Sequence, residues 1–335
     1  MVKLSVVTPT YNRCESLRTT IAGLMNQTFP AESFEHIVVS DGSTDGTEAM
    51  VAEMVTSAPF FLRCVTQPNG GPSAARNRGI REAVNDVVVF LDDDVEPVAE
   101  FLARHASHHE ADPDVAVIGP MSPDPARASQ EPVWIAWEHA MLQDIYRLFN
   151  PGGRFEGEPP GPMHFYSGNA SVSRQHLIAS GGFDETYKRQ EDVELAVRLE
   201  RDEGVHFAYD RLADGLHRPS RTFESWLNIP ASYGRLDAKR LQEGTLPWND
   251  VQYLASTRNP LTKALTSLSV ASPPLAPFIT AVLKSTAIVL GQAGSSKAAH
   301  SALSALYNST YSRCLQDELT KSGWRPGQTP KVLTP

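Results

Sequence analysis

Short runs of β-branched and aliphatic residues recur through the first third of the chain, each followed by a stretch whose apolar positions lie three or four apart. KLSVV (3–7), HIVV (36–39), FLRCV (61–65), VVVFL (87–91) and VAVIG (115–119) are the predicted strands. Leu17, Ile21, Leu24 and Met25 recur at helical spacing between the first two, and Asp45 followed by Glu48 predicts an N-cap with an acid reaching back to it. Strands alternating with helices predict an α/β protein with a mostly parallel sheet and flanking helices. Prolines and glycines then interrupt the pattern over 120–165, around one aromatic helical stretch at 134–149, which predicts a lid-like excursion. Regular structure resumes with a strand at 170–173, a short helix, a loop, a helix near 191–203 and a strand at 206–209. Beyond Pro219 the periodicity is helical up to a final helix through Leu303, Leu306, Tyr307, Tyr311 and Leu315, and the last ten residues read as a frayed tail. The expected boundaries are therefore 1–218 and 219–335, with 1–119 carrying the ligand edge, 120–165 the lid and 166–218 a second part of the site.

Charge and composition narrow the picture. The 335 residues hold 30 Lys plus Arg against 39 Asp plus Glu, a net charge of −9, which disfavours nucleic acid as a partner. Cys14, Cys64 and Cys314 are too few and too far apart for a disulfide framework or a metal cluster, so a reducing, cytoplasmic compartment is expected. The apolar run at 275–290 falls short of a spanning helix and is cut by Pro277 and Lys284. It is expected either to pack in a bundle, with a homo-oligomer as one outcome, or to lie peripherally at the inner face of a membrane through Phe278, Val282 and Val289.

In parallel sheets, ligands bind beyond the carboxyl ends of the strands. Collected there are Thr8 to Arg13, Ser40 to Gly46, Asn69 to Asn77, and Asp92-Asp93-Asp94. Tyr11 offers a face to a base, Asp41 an acceptor, and Arg13 or Arg76 charge for phosphates, which together predict a nucleotide site. Neither a P-loop nor a G-x-G-x-x-G follows the first strand. Three consecutive acids after a buried strand call for a divalent cation, the competing reading being a solvated acidic loop.

The order VVTPTYNR, VVSDGSTDGT, GGPSAARNRGI, VVFLDDDVEP, SGNASVSR and GGFDETYKRQEDVELAVRL resembles the family-2 glycosyltransferases of the GT-A fold over about residues 3–218. The resemblance implies a metal-dependent, inverting transfer of one sugar from a nucleotide donor, a UDP-sugar, to a hydroxyl acceptor. Pro9, Thr10, Tyr11, Arg13, Asp41, Gly71 and Arg76 would surround the nucleotide. Asp92 and Asp94 match the D-x-D motif, with Asp93 facing ribose or sugar and Asp94 binding Mn²⁺ or Mg²⁺. Glu191-Asp192 matches the catalytic pair, Asp192 being the base. The pair read alone would only favour a helix N-terminus. His217 matches a third metal ligand, and Gly168 and Asn169 match the step beside donor sugar and acceptor. The other nine histidines, including His105, His108 and His109, are read as surface residues. Ser40 stands where many relatives carry another Asp, and no Q-x-x-R-W motif follows the E-D pair, which favours single addition over polymerisation. The alternative function is a non-catalytic nucleotide-sugar-binding scaffold.

Overall fold

The structure, a computed structural model, describes residues 1–187 and 189–325; the tail at 326–335 lies outside the described residues. Two compact units divide the chain, Met1–Ser129 with His139–Ser220, and Gln130–Glu138 with Arg221–Pro335.

The elements begin β1 (Leu4–Thr10), α1 (Cys14–Met25), β2 (Phe34–Ser40), α2 (Thr47–Val55), β3 (Phe61–Thr66), α3 (Pro72–Glu82), β4 (Val87–Leu91) and β5 (Val95–Pro97). They continue α4 (Phe101–Ala111), β6 (Val115–Ile118), β7 (Met121–Pro123), α5 (Val133–Arg147), β8 (Asn169–Ser173), α6 (Arg174–Ala179), α7 (Glu191–Glu203), β9 (His206–Tyr209) and β10 (Gly215–His217). The remainder is helical: α8 (Phe223–Glu243), α9 (Trp248–Ser256), α10 (Pro260–Ala271), α11 (Ala276–Gln292) and α12 (Ser296–Ser322).

In the first unit a seven-stranded sheet has the order β3-β2-β1-β4-β8-β6-β9. Its pairings are parallel except that β8 runs antiparallel to both β4 and β6. The strands alternate side chains between two cores. Val6, Val38 and Val89 face a cluster with Leu17, Ile21 and Phe101, while Val7, Ile37, Val88 and Phe90 face one with Ala75, Leu195 and Phe207. Burial on both faces explains why these strands read as continuous apolar runs. The direction of β8 was not written in its sequence, because it depends on where the excursion before it re-enters the sheet. A second sheet, β5-β10-β7, was not anticipated either. Its strands have three residues each, too short to display a period of two.

Three local expectations are corrected. The N-cap of α2 is Gly46, not Asp45, which accepts from the Thr47 N–H at 3.2 Å and from the Cys14 N–H at 2.9 Å, and Glu48 does not reach back, accepting instead from the Ser40 hydroxyl at 2.5 Å. The histidines are not all at the surface: His36 and His105 are 0% exposed, and His109 and His139 are buried too. Their helices and strands bring hydroxyls to them, Thr8 to His36 and Ser171 to both His105 and His109, and a hydrogen-bonded imidazole is tolerated inside. Finally, Pro273–Gln292 forms a 20-residue helical stretch that is long and apolar enough to cross a membrane by length and composition. Pro277 lies in its first turn, where proline is accommodated, and so does not break it.

In the second unit Trp137, Phe223, Trp226, Leu303 and Leu306 form an aromatic-rich core, joined by Trp134 and Tyr307. Residues 130–138 group with the helices for that reason. The Trp137 indole donates to Ser304 at 2.9 Å, so its polar edge is satisfied inside the cluster. A smaller core of Ala238, Leu241, Val251, Leu315 and Leu319 follows along α8 and α12.

α3 lies directly on β1 because Gly79 has no side chain: a Cβ there would meet Val7 Cγ1 at 2.2 Å. Gly79→Ala is expected to lower stability by about 1–3 kcal/mol through overpacking. Urea unfolding measures it, and an unchanged midpoint would show that the helix shifts freely.

Candidate active site

β1, β2 and β4 end at Thr10, Ser40 and Leu91, so the segments after them meet at one sheet edge. A cleft of about 940 Å³ opens there, lined among others by Tyr11, Arg13, Asp94, Asp124, Arg127 and Arg218. Pro9 and Thr10 close β1, and Tyr11, 51% exposed, presents its ring to solvent. Asn12 adopts a left-handed φ of 53°. Its side chain accepts from the Thr44 N–H at 2.7 Å, a tie that holds the turn carrying Tyr11 and Arg13.

The three acids are neutralised by two different arginines. Arg13 Nη1 lies 3.1 Å from Asp93 and 2.7 Å from Asp94. Thr10 Oγ1 donates to the other Asp93 oxygen at 2.7 Å. Burial, then the charge of Asp94, pushes the Asp93 carboxyl well above the usual range, with Arg13 and Thr10 opposing. Asp92 faces away from that pair, toward Arg76 Nη2 at 2.8 Å. Arg76 is itself buried and also meets Glu191 at 3.3 Å. The structure therefore brings Arg76 to two carboxylates, Asp92 and Glu191, at the sheet edge.

Asp41 is buried and accepts from Gln67 at 2.7 Å, the Gly70 N–H at 2.9 Å and the Gly71 N–H at 2.8 Å. Its carboxylate thus shapes the loop that contains Gly71 and leads into α3.

Across the edge, the Glu191-Asp192 pair opens α7 just after Gln190, whose φ of 57° turns the chain into the helix. Asp192 accepts from the Val193 N–H at 2.9 Å. Burial and the adjacent Glu191 raise its pKa to about 6, opposed by the Val193 N–H, Arg76 and the Ser167 N–H. Gly168 lies against Asp92, since a Cβ there would meet Asp92 Oδ2 at 2.9 Å. The run from Ser167 to Asn169 therefore connects the neighbourhoods of Asp92 and Asp192.

The Asn169 side chain turns inward and is 0% exposed. Its amide N donates to the carbonyls of Pro120 at 2.7 Å and Ala213 at 2.8 Å, so its oxygen is the acceptor for His105 Nε2 at 3.1 Å. His105 Nδ1 must then accept from the Ser171 hydroxyl at 2.8 Å, and Ser171 accepts from His109 Nε2 at 2.8 Å. One directed chain of hydrogen bonds ties α4, β8 and the loops at Pro120 and Ala213.

The comparisons with known proteins fit this geometry. Residues 5–179 match the model of the family described as "Glycosyl transferase family 2". This chain belongs to that family. It is 32% identical over 249 residues to the validoxylamine A glucosyltransferase of Streptomyces hygroscopicus subsp. jinggangensis, covering 66% of this chain and 57% of the relative. It is 29% identical over 234 residues to the pre-mycofactocin glycosyltransferase of Mycobacterium tuberculosis, covering 69% and 46%. The chain spans less than two thirds of the length of these curated relatives. Its fold is shared with a mannosyltransferase from Pyrobaculum calidifontis solved with GDP-Man and Mn²⁺, at a TM-score of 0.61 and 21% identity, over 96% of this chain and 87% of that one. The architecture is GT-A, with a C-terminal helical region.

A family-2 site with this architecture raises the question of a metal. His217 Nε2 lies 3.7 Å from Asp94 Oδ1, both buried, and His217 Nδ1 has no hydrogen-bond partner. Among the described residues no group of three or more His, Cys, Asp or Glu side chains could hold a metal. Asp94 and His217 offer an oxygen and a nitrogen donor, so a cation held by them would need its remaining ligands from outside the protein. The sequence reading missed several charged residues of the cleft. Arg218 follows His217 on the chain, its N–H donates to the Asp94 carbonyl at 2.7 Å, and its guanidinium pairs with Asp124 at 2.8 Å and with Glu96. Arg127 lines the cleft as well. Their only local signal was the cation next to His217.

Burial pushes His105 down to about 4 and His109 to about 3, below the ordinary 6.5. Both are neutral in the native state and must charge in acid, so the stability they contribute is complete above pH 6.5 and is lost as pH falls through about 4. Urea midpoints should fall across that window, and the His105→Gln/His109→Gln variant, weaker at pH 7, should show a flatter decline. Parallel curves would mean that other groups control acid unfolding.

Proposed function

We propose that the chain is a metal-dependent, inverting glycosyltransferase that moves one sugar from a nucleotide sugar, UDP-linked in our reading, to a hydroxyl acceptor. The observation that carries it is one sheet edge with two halves: an exposed ring, arginines and a carboxylate–imidazole pair on one side, and a half-buried carboxylate with a raised pKa on the other. Tyr11 would stack on the base while Asp41 holds the loop beside it, and Arg13 and Arg218 would face the diphosphate. Asp192 would take the proton of the acceptor hydroxyl as that oxygen attacks the anomeric carbon from the side opposite the leaving diphosphate, which inverts the centre. A cation on Asp94 and His217 would supply charge for the departing diphosphate. Loss of the sugar from the diphosphate and gain of the acceptor oxygen are one displacement, so a single base suffices.

Thermal denaturation with UDP, GDP and their sugars, with and without Mn²⁺, tests the donor site, because a ligand of the native state raises the melting temperature by mass action. A Mn²⁺-dependent rise with one base, abolished in Asp94→Ala, is expected; a rise independent of metal would remove Asp94 and His217 as ligands. Asp192→Asn should abolish transfer with nucleotide binding intact, and the wild-type rate should decline as pH falls below about 6. Because the native state holds the Asp192 proton more tightly than the unfolded chain, this group's stability contribution is lost as pH rises through about 6, so Asp192→Asn should melt higher than wild type at pH 8. Nucleotide binding without turnover in any variant or metal would favour the scaffold.

We propose further that the helical unit meets an anionic membrane surface. Residues 251–316 contain no Asp or Glu but do contain Arg258, Lys263, Lys284, Lys297 and Arg313, in a chain of net charge −9. Leu261 and Leu268 of α10 and Phe278, Val282 and Val289 of α11 are exposed, and on each helix they form one stripe. Apolar side chains without acids between them suit a negatively charged lipid interface. Sedimentation with phosphatidylglycerol-containing vesicles, absent with pure phosphatidylcholine and lost in Phe278→Glu/Val289→Glu, is expected. A concentration-dependent dimer with no vesicle binding would assign the face to a second copy.

A further inference from the structure

We propose that Arg76 is a positioning residue that ties the acidic turn after β4 to the first turn of α7, and so holds Asp192 at one place on the cleft edge. This rests on the reading of Asp192 as the base, and it assigns Arg76 a role other than that of a donor contact.

The geometry is that of a two-armed strut. One guanidinium nitrogen lies 2.8 Å from Asp92 Oδ1 and the other 3.3 Å from Glu191 Oε1, partners 16 and 115 residues away along the chain. The guanidinium also lies 5.6 Å from the centre of the Phe183 ring, which fixes its third side. The Arg76 side chain is only 7% exposed, leaving little of it for a diphosphate. Arg13 and Arg218, by contrast, line the cleft. Arginine suits the task because its planar fork spans two carboxylates at once and keeps its charge when buried. Three acids, Glu191, Asp192 and Glu194, occupy the first turn of α7. The helix dipole favours them there, but their mutual repulsion needs a cation close by.

The strut makes opposite predictions for its two ends. Glu191 and Arg76 are the charged groups that act most strongly on Asp192, the first against its ionisation and the second in favour of it. The other elements packed on α7 bring His164, on the turn Pro162–His164, and Arg174 and His176 of α6. His176 is paired with Asp114 and Glu203, and Glu194 with Arg198. None of these is altered by changing Arg76 or Glu191.

The test follows the Asp192 carboxyl directly by ¹³C NMR in selectively labelled full-length protein, assigned with Asp192→Asn, so that no sugar donor or acceptor is needed. In wild type the signal should titrate near 6. Arg76→Met should move it up by about one unit and Glu191→Gln down by about as much. The Arg76→Met/Glu191→Gln variant, which removes the buried Glu191 charge together with its cation and leaves only the more exposed Asp92 without Arg76, should return it close to wild type. Arg76→Lys keeps the charge, so the titration should stay within a few tenths of a unit while its affinity for UDP and GDP stays within about twofold. A titration unmoved in Arg76→Met and in Glu191→Gln overturns the proposal. So does a loss of more than about tenfold in UDP or GDP affinity in Arg76→Lys, which would make Arg76 a donor contact. If Arg76→Met does not fold, the double variant and Arg76→Lys decide the matter. Transfer retained by Asp192→Asn would instead sink the reading of Asp192 as base, and leaves the measured charge coupling to Arg76 standing.

Discussion

Three consecutive carboxylates at the end of a fully buried strand repel one another, and every part of the sheet edge is arranged around that repulsion. Arg13 comes from the start of α1 and neutralises Asp93 and Asp94; Arg76 comes from α3 and neutralises Asp92. Dividing the acids between two cations sends their side chains in different directions. Asp94 is thereby turned to the cleft and to His217, while Asp92 turns to the helix that carries Glu191 and Asp192. The half of the edge that carries Asp94 and His217 and the half that carries Glu191 and Asp192 are thus joined by one crowded tripeptide. Buried carboxylates of this kind are tolerated only when their partners are held in place. The rigid parallel sheet, with Gly79 letting α3 lie directly on β1, is what holds them.

The second layer of that support is neutral rather than charged. The chain from His109 through Ser171 and His105 to Asn169 is directional, because the Asn169 amide is committed to two carbonyls and each following group must then donate in turn. It fixes the Gly119 to Met121 turn and the Ala213 loop against the start of β8, next to Gly168. A directed network of this kind, whose one open end is His109 Nδ1, specifies one arrangement of its loops, where an apolar contact would allow several.

In the helical unit, tryptophans supply the core and acids are absent from a long stretch that also exposes Leu261, Leu268, Phe278, Val282 and Val289. Lys284 illustrates how its cations are used: it sits 4.1 Å over the Phe223 ring and 3.7 Å from Glu224. The positive character of the segment therefore comes as much from missing carboxylates as from free lysines.

The strands of the sheet, the helices between them and the order of the motifs were legible in the sequence, because each depends on a period within one element or on residues adjacent along the chain. Tyr11, Asp41, the three acids and the Glu191-Asp192 pair could be placed at a strand end or helix start by that means alone. What each of them touches could not. The pairing of Arg76 with Glu191, the burial of His105 and His109, the antiparallel entry of β8, the three-residue strands of the second sheet and the arrival of Arg218 and Asp124 in the cleft all join segments distant in sequence. Such contacts depend on strand direction, register and the return path of the 120–165 excursion. Local periodicity carries none of these, because they are settled only when the whole sheet closes on its two cores.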